Sequence, residues 1–276
     1  MNKIIAKKSI SSDVVRFEIR TSMAVNDIRP GRYILLIVEK DKHGIPAAVV
    51  KFDAEKGIIT VLVFVADRYS QQLAELNSGS EIYGINGPFG YPLLIENFGT
   101  VLCVIRGPGA VMLLPALASL HSAGNRIVTI LSARTHDGIQ LENEIRAISD
   151  EVIFISHNEN RGEKGSVCEA ITQTLRTTRI DQVFVIGSAT IIKDTCVHVS
   201  KYNIPIQSIL YYDKTAQKSG HGIYKVSVPG TSRAVCVEGF DFNAWYPNLE
   251  EMIKRFGRED DIQCNTISTK DVNIPL

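Results

Sequence analysis

The chain has 276 residues, of which 45% are hydrophobic and 22% charged, with 30 Lys+Arg against 30 Asp+Glu. That length suits two domains of ordinary size, and the zero net charge points to neither a nucleic-acid partner nor an anionic membrane. No apolar run reaches the ~18–20 residues of a membrane span, and the N-terminal MNKIIAKKSISSD holds no apolar signal core, so the protein is expected in the cytoplasm.

Residues 1–97 read as all-β. DVVRFEIRT alternates apolar and polar residues, GRYILLIVEK and IPAAVVKFD are short apolar runs, and GIITVLVFVAD is rich in β-branched residues. Gly and Pro clusters at Arg29-Pro30-Gly31, His43-Gly44 and Lys56-Gly57 separate them. Short strands at a spacing of about ten residues predict a small antiparallel barrel. One helix, DRYSQQLAELNSG, interrupts it, with Leu73 and Leu76 on one face and Gly79 as its stop.

From residue 98 the rhythm changes. TVLCVI, RIVTILSAR, EVIFISH, QVFVIGS and IQSILYYD read as strands, separated by helices in AVMLLPALASLHSAG, LENEIRAISD, GSVCEAITQTLRT and ATIIKDTCVHVSKYN. Apolar strands alternating with helices predict a parallel sheet covered on both faces, a doubly wound domain over 98–213. Such sheets bind ligands at the carboxyl ends of their strands. In the last segment, 214–276, KSGHGIYKVSVPGTSRAVCVEG reads as a β-hairpin with a Pro-Gly turn and NLEEMIKRFGRE as a short amphipathic helix.

The cysteines at 103, 168, 196, 236 and 264 are scattered and form no CxxC pair, which argues against a disulfide framework and a self-contained zinc site. Cys103 and Cys196 lie among apolar residues and are read as small buried hydrophobes. His136-Asp137 and His157 fall at strand ends, but no nucleophile is placed with them, so no catalytic residue and no metal ligand is assigned.

Two loops remain that could approach a ligand. GPFGYP closes the barrel, and its glycines leave room for a close approach of the backbone. Val101–Leu120 runs from strand to helix through Arg106-Gly107-Pro108-Gly109, a place where many proteins hold a dinucleotide, although no GxGxxG occurs there.

Taken in order, RPGRYILLIV, AEKGIITVLV, LAELNSGSEI, GPFGYP, IENFGTVLCVI, LSARTHDGIQLENEIRAISDEV, RGEKGSV and RAVCVEGFDF resemble the flavin-containing electron-transfer subunits of the ferredoxin–NADP reductase superfamily. Among these are the small subunit of NADH-dependent ferredoxin–NADP oxidoreductase, also known as a sulfide dehydrogenase subunit, and the electron-transfer subunit of dihydroorotate dehydrogenase. The resemblance implies FAD on the barrel, NAD(P)H on the doubly wound domain and a two-iron two-sulfur cluster on a C-terminal segment. It divides the chain into an FAD-binding-type barrel (1–97), an NAD(P)-binding-type domain (98–213) and a hairpin, helix and tail of the cluster type (214–276).

The family's sites are thinned in this chain. Its Arg-x-Pro-Leu-Ser/Thr segment is here GIPAAV, which keeps Pro46 but puts Gly44 at the arginine position and Ala48 at the hydroxyl position. Pro46, Ala47, Ala48, Arg68, Tyr69, Ser70, Gly87, Pro88 and Gly90 are the candidate flavin contacts, and the helix N-terminus at Arg68 and Ser70 is able to hold a phosphate. On the dinucleotide side the family's glycine-rich loop is reduced to Arg106, Gly107 and Gly109, Ile105 brings a branched side chain to the loop, and Pro108 removes a donor. Arg134 in the intact SAR and Gly187 in GSA complete the candidate set. The cluster motif has His221 and Tyr224 at cysteine positions and keeps Cys236 alone, too few for the roughly four ligands a cluster needs, so no two-iron two-sulfur cluster is expected.

The resemblance therefore implies an electron-transfer subunit of ferredoxin–NADP reductase type, moving electrons between a nicotinamide dinucleotide and a partner protein, in complex with a larger flavoprotein. The alternative is a degenerate relative that serves as a structural or regulatory subunit, without the cluster and with or without flavin.

Overall fold

The structure, a computed structural model, describes residues 2–22, 28–40, 44–89, 92–107, 109–133, 141–156, 166–187, 189–211, 225–228 and 232–237. Its first sheet is a nearly closed antiparallel barrel of β1 (Asn2–Ser9), β2 (Val14–Arg20), β3 (Tyr33–Ile37), β4 (Ile45–Asp53), β5 (Ile58–Phe64), β6 (Glu81–Ile82) and β7 (Gly84–Phe89), in the order β6-β1-β2-β5-β4-β3-β7. The four strands expected from patterning are β2 to β5. Their inward residues, among them Phe17, Ile34, Ala47, Val49, Ile59, Val61 and Val63, form the barrel interior with Ile4 of β1. Helix α1 (Arg68–Glu75) plugs the barrel with Leu73 and is tied to β1 by a hydrogen bond from Lys7 Nζ to Ala74 O.

The second sheet has the order β10-β9-β8-β11-β12-β14-β13. Strands β8 (Thr100–Arg106), β9 (Arg126–Ala133), β10 (Glu151–Ser156), β11 (Gln182–Gly187) and β12 (Ile206–Tyr211) are parallel and alternate with α2 (Gly109–Ser122), α3 (Glu142–Ile148), α4 (Val167–Thr177) and α5 (Ala189–Ser200). Residues of α2 and α3 share a core with Val101, Cys103 and Ile105, on one face of β8. Those of α4 and α5 share one with Leu102 and Val104, on the other. The domain is thus doubly wound. The expected hairpin, β13 (Lys225–Val228) and β14 (Ser232–Val237), does not stand apart: β14 pairs in parallel with β12 and extends the sheet.

Helix α2 joins the two halves. Its residues 110–114 and Leu117 lie in one core with Val14, Tyr33, Leu35, Ala48 and Leu62 from the outer face of the barrel. A second tie comes from Asn125, which is buried after α2. Its Oδ1 accepts from Phe98 N at 2.7 Å, and its Nδ2 donates to Glu96 O at 2.7 Å and Leu120 O at 2.9 Å. The connection between barrel and sheet is thereby fastened to the end of α2.

Candidate functional site

Strand β3 is the hub of the barrel-side residues. On one edge Tyr33 pairs with Ala48 and Leu35 with Pro46; on the other, Tyr33 pairs with Phe89 across an irregular register. Gly87 precedes a cis peptide to Pro88 and has φ +123°, and a Cβ there would stand 3.2 Å from Tyr33 O. The structure therefore gathers Pro46, Ala47, Ala48, Gly87 and Pro88 around one strand, while Gly90 lies outside the described residues. Ala48, the hydroxyl position, is 1% exposed and packs in the core shared with α2. Ala47 faces the barrel interior.

The arginine position is closed as well as empty of charge. A Cβ built on Gly44 would lie 2.8 Å from Leu35 Cβ and 3.1 Å from Leu35 Cδ1, and Leu35 is itself buried in the shared core. No longer residue enters there unless β3 moves.

At α1 the expected phosphate seat is occupied by the chain. Asp67 is the N-cap, and its Oδ1 accepts from Tyr69 N at 3.1 Å and Ser70 N at 2.8 Å. Ser70, 2% exposed, accepts from Ala66 N and Asp67 N at 3.0 Å each through Oγ, which lies 2.8 Å from Asp67 Oδ1. Arg68 is exposed, with Cζ 4.6 Å above the Tyr69 ring and Nη2 donating to the Tyr69 hydroxyl at 2.5 Å. A helix N-terminus attracts an anion through its unpaired N–H groups and dipole. Here an internal carboxylate already supplies that anion, so these residues do not fit a flavin pyrophosphate as the resemblance expected. Sequence reasoning passed over Asp67, although Asp-x-x-Ser at the head of an apolar-faced helix is a readable capping signal.

The dinucleotide-side residues come together at the switch point of the parallel sheet. The order β9-β8-β11-β12 places the reversal between β8 and β11, where such sheets open a crevice at their carboxyl ends. Arg106 ends β8, Gly187 ends β11, and Arg106 is in register with Ser132 of β9. Each member has a stated surrounding. Gly107 has φ +57°, its N–H donates to Ser132 O at 3.0 Å, and an added Cβ would meet nothing within 4 Å. Gly109 opens α2 against Ile186, and a Cβ on Gly187 would collide with Ile191 Cγ2 of α5 and lie 3.5 Å from Arg106 Cβ. The branched side chain of Ile105, expected to crowd the loop, is 0% exposed and points into the core under α2.

Ser132 is the residue that sequence reasoning left out of this set. It is fully buried, and its Oγ has no hydrogen-bond partner among the described residues. An orphaned hydroxyl beside a half-buried arginine and a glycine is a donor set that suits a phosphate or a sugar hydroxyl. Pro108, Arg134, His136, Asp137, His157, His221 and Tyr224 lie outside the described residues. Of Cys236 only its place in β14, opposite Leu210, is described.

Among the described residues no group of three His, Cys, Asp or Glu could hold a metal ion, and no helix is long and apolar enough to cross a membrane. Burial pushes the Cys103 thiol well up and that of Cys196 to about 11, so both are protonated at neutral pH.

The chain matches no family model. It is 29% identical over 258 residues to the dihydroorotate dehydrogenase B (NAD(+)) electron transfer subunit homolog of Thermotoga maritima, covering 94% of this chain and 91% of that one. It is 26% identical over 234 residues to the probable electron transfer subunit of dihydroorotate dehydrogenase B from Methanocaldococcus jannaschii, 84% of each. Among solved structures, that of the NADH-dependent reduced ferredoxin–NADP oxidoreductase superposes with a TM-score of 0.65 at 30% identity, covering 75% of this chain and 74% of the other.

Proposed function

Since the chain belongs to the ferredoxin–NADP reductase superfamily, we propose that it is an electron-transfer subunit of a flavin-type oxidoreductase, working with a larger partner subunit. The reading is supported by relatives named as electron-transfer subunits over nearly the whole chain and by the likeness to a ferredoxin–NADP oxidoreductase. On this reading the chain comprises a barrel unit over 1–97, a dinucleotide unit over 98–213 and a C-terminal unit over 214–276, and works in the cytoplasm.

The observation that carries it is the switch-point crevice. Arg106 supplies a positive charge at the end of β8, Ser132 in register with it has a hydroxyl without a partner among the described residues, and Gly107 leaves open space at the loop. These residues suit the phosphates and ribose of a nicotinamide dinucleotide, which supplies a hydride when bound. The chain's own part is to hold that ligand beside the barrel. Residues of α2 share a buried core with Tyr33, Leu35 and Ala48, which sets the dinucleotide unit against the barrel face that carries β3.

The experiment is the visible spectrum of the protein purified without added cofactor, followed by NADH under anaerobic conditions. Bound flavin bleached by NADH is the expected result. A colourless protein that takes up no added flavin and leaves NADH unbound overturns the reading. A second reading, a structural or regulatory subunit without flavin or cluster, is favoured by one observation: Asp67 fills the α1 phosphate seat.

A further inference from the structure

The barrel closes the arginine position of the family's flavin segment and the helix end at which a flavin phosphate was expected, and it does so with different atoms. Gly44 is pressed against Leu35, so that no cation can be built there. At α1 the amides of Tyr69 and Ser70 both point at Asp67 Oδ1, and Ser70 Oγ is turned to the same carboxylate. Arg68, the nearby cation, has its guanidinium on Tyr69. A phosphate approaching this turn would meet a carboxylate instead of donors, and like charges at close range repel.

We propose that Asp67 is a built-in anion that takes the place of a flavin phosphate, so that a flavin held by the barrel gains nothing from the pyrophosphate of FAD. The ligand class is a flavin read without its adenylate. The proposal rests on the flavin reading given above but can be separated from it. Loss of the carboxylate frees the Tyr69 and Ser70 amides and removes one negative charge, which turns the same helix end into an ordinary phosphate seat.

The test measures the affinity of riboflavin and of FAD for the full chain by quenching of flavin fluorescence, in wild type, Asp67→Gly and Asp67→Asn. Glycine is tolerated at an N-cap and opens the amides, whereas asparagine keeps the cap and removes only the charge, which guards against a variant that fails to fold. Thermal midpoints of all three are recorded. In wild type, FAD is expected to bind within threefold of riboflavin. Asp67→Gly should bind FAD at least tenfold tighter with riboflavin unchanged, and Asp67→Asn should lie between.

The proposal is overturned if wild type binds FAD tenfold tighter than riboflavin, or if neither variant changes the ratio of the two affinities. A wild type that binds no flavin, with FAD uptake gained in Asp67→Gly, sinks the flavin reading while sustaining the role of Asp67. No uptake of any flavin by any of the three proteins overturns both.

Discussion

Gly109 and Ile186 stand closer than a side chain at 109 would allow: a Cβ on Gly109 would lie 2.7 Å from Ile186 Cγ2 and 3.2 Å from Ile186 O. A glycine that looks in sequence like part of a phosphate loop is thus required by the packing of α2 on β11, whatever the loop binds. Gly109→Ala should cost about 1–3 kcal/mol, the range for overpacking a filled core. Urea denaturation should show a lower midpoint at unchanged slope. Ile186→Ala removes the colliding methyl, so the double variant should lose less than the sum of the single losses. Strict additivity would refute the clash.

The same pair shows what the sequence could and could not reveal. Strands β8 to β12 were legible because strands covered on both faces are apolar throughout, and their alternation with helices leaves little choice of architecture. β1 was not, because its NKIIAKKS carries lysines and buries only Ile4 fully. β7 hid behind the glycines and proline of GINGPF, which read as a turn and in fact pair with β3. At the sites, residue types were legible but their surroundings were not. That Ile105 turns into the core, that Gly44 abuts Leu35 and that Ser132 is left without a partner among the described residues are facts about neighbours distant in sequence. Asp67 differs, since its role is local and its spacing to Ser70 was there to be read.

Asn125 carries three hydrogen bonds that join the barrel-to-sheet connection to α2, with Phe98 N, Glu96 O and Leu120 O. Asn125→Ala removes all three bonds in a part-buried setting, although Leu120 O keeps the backbone N–H of residue 125 at 3.2 Å. At roughly 1 kcal/mol or somewhat more for each bond, the loss should be about 2–4 kcal/mol in a chemical denaturation series. Asn125→Asp should be no rescue, because a carboxylate cannot donate to the two carbonyls. An Asn125→Asp protein as stable as wild type would contradict this assignment.

Ala48 tests the seam between the halves. It lies on β4, is 1% exposed and shares a core with α2, and the family hydroxyl at this position would be carried by Ala48→Ser. With no partner in an apolar seam, that hydroxyl should cost about 1–3 kcal/mol. Differential scanning calorimetry of the unliganded protein is the measurement. A midpoint equal to or above that of wild type would mean that the seam holds a polar partner for it.

His198 gives a pH dependence whose sign follows from its place between helices. Its Nδ1 lies 3.0 Å from Thr172 Oγ1 of α4. Burial first, and then the charge of Lys201, hold its pKa below the usual 6.5. The native state therefore binds fewer protons at this group than the unfolded chain does. The contribution of a neutral His198 is present above about pH 6.5 and is lost as the pH falls through the lowered native value. Other groups titrate over the same window, so the informative quantity is a difference. The stability of wild type minus that of His198→Gln should decrease between about pH 7.5 and pH 5, as read from urea midpoints at each pH. Two parallel pH profiles would show instead that His198 titrates alike in the folded and unfolded chains, and that the α4–α5 contact does not depend on its charge.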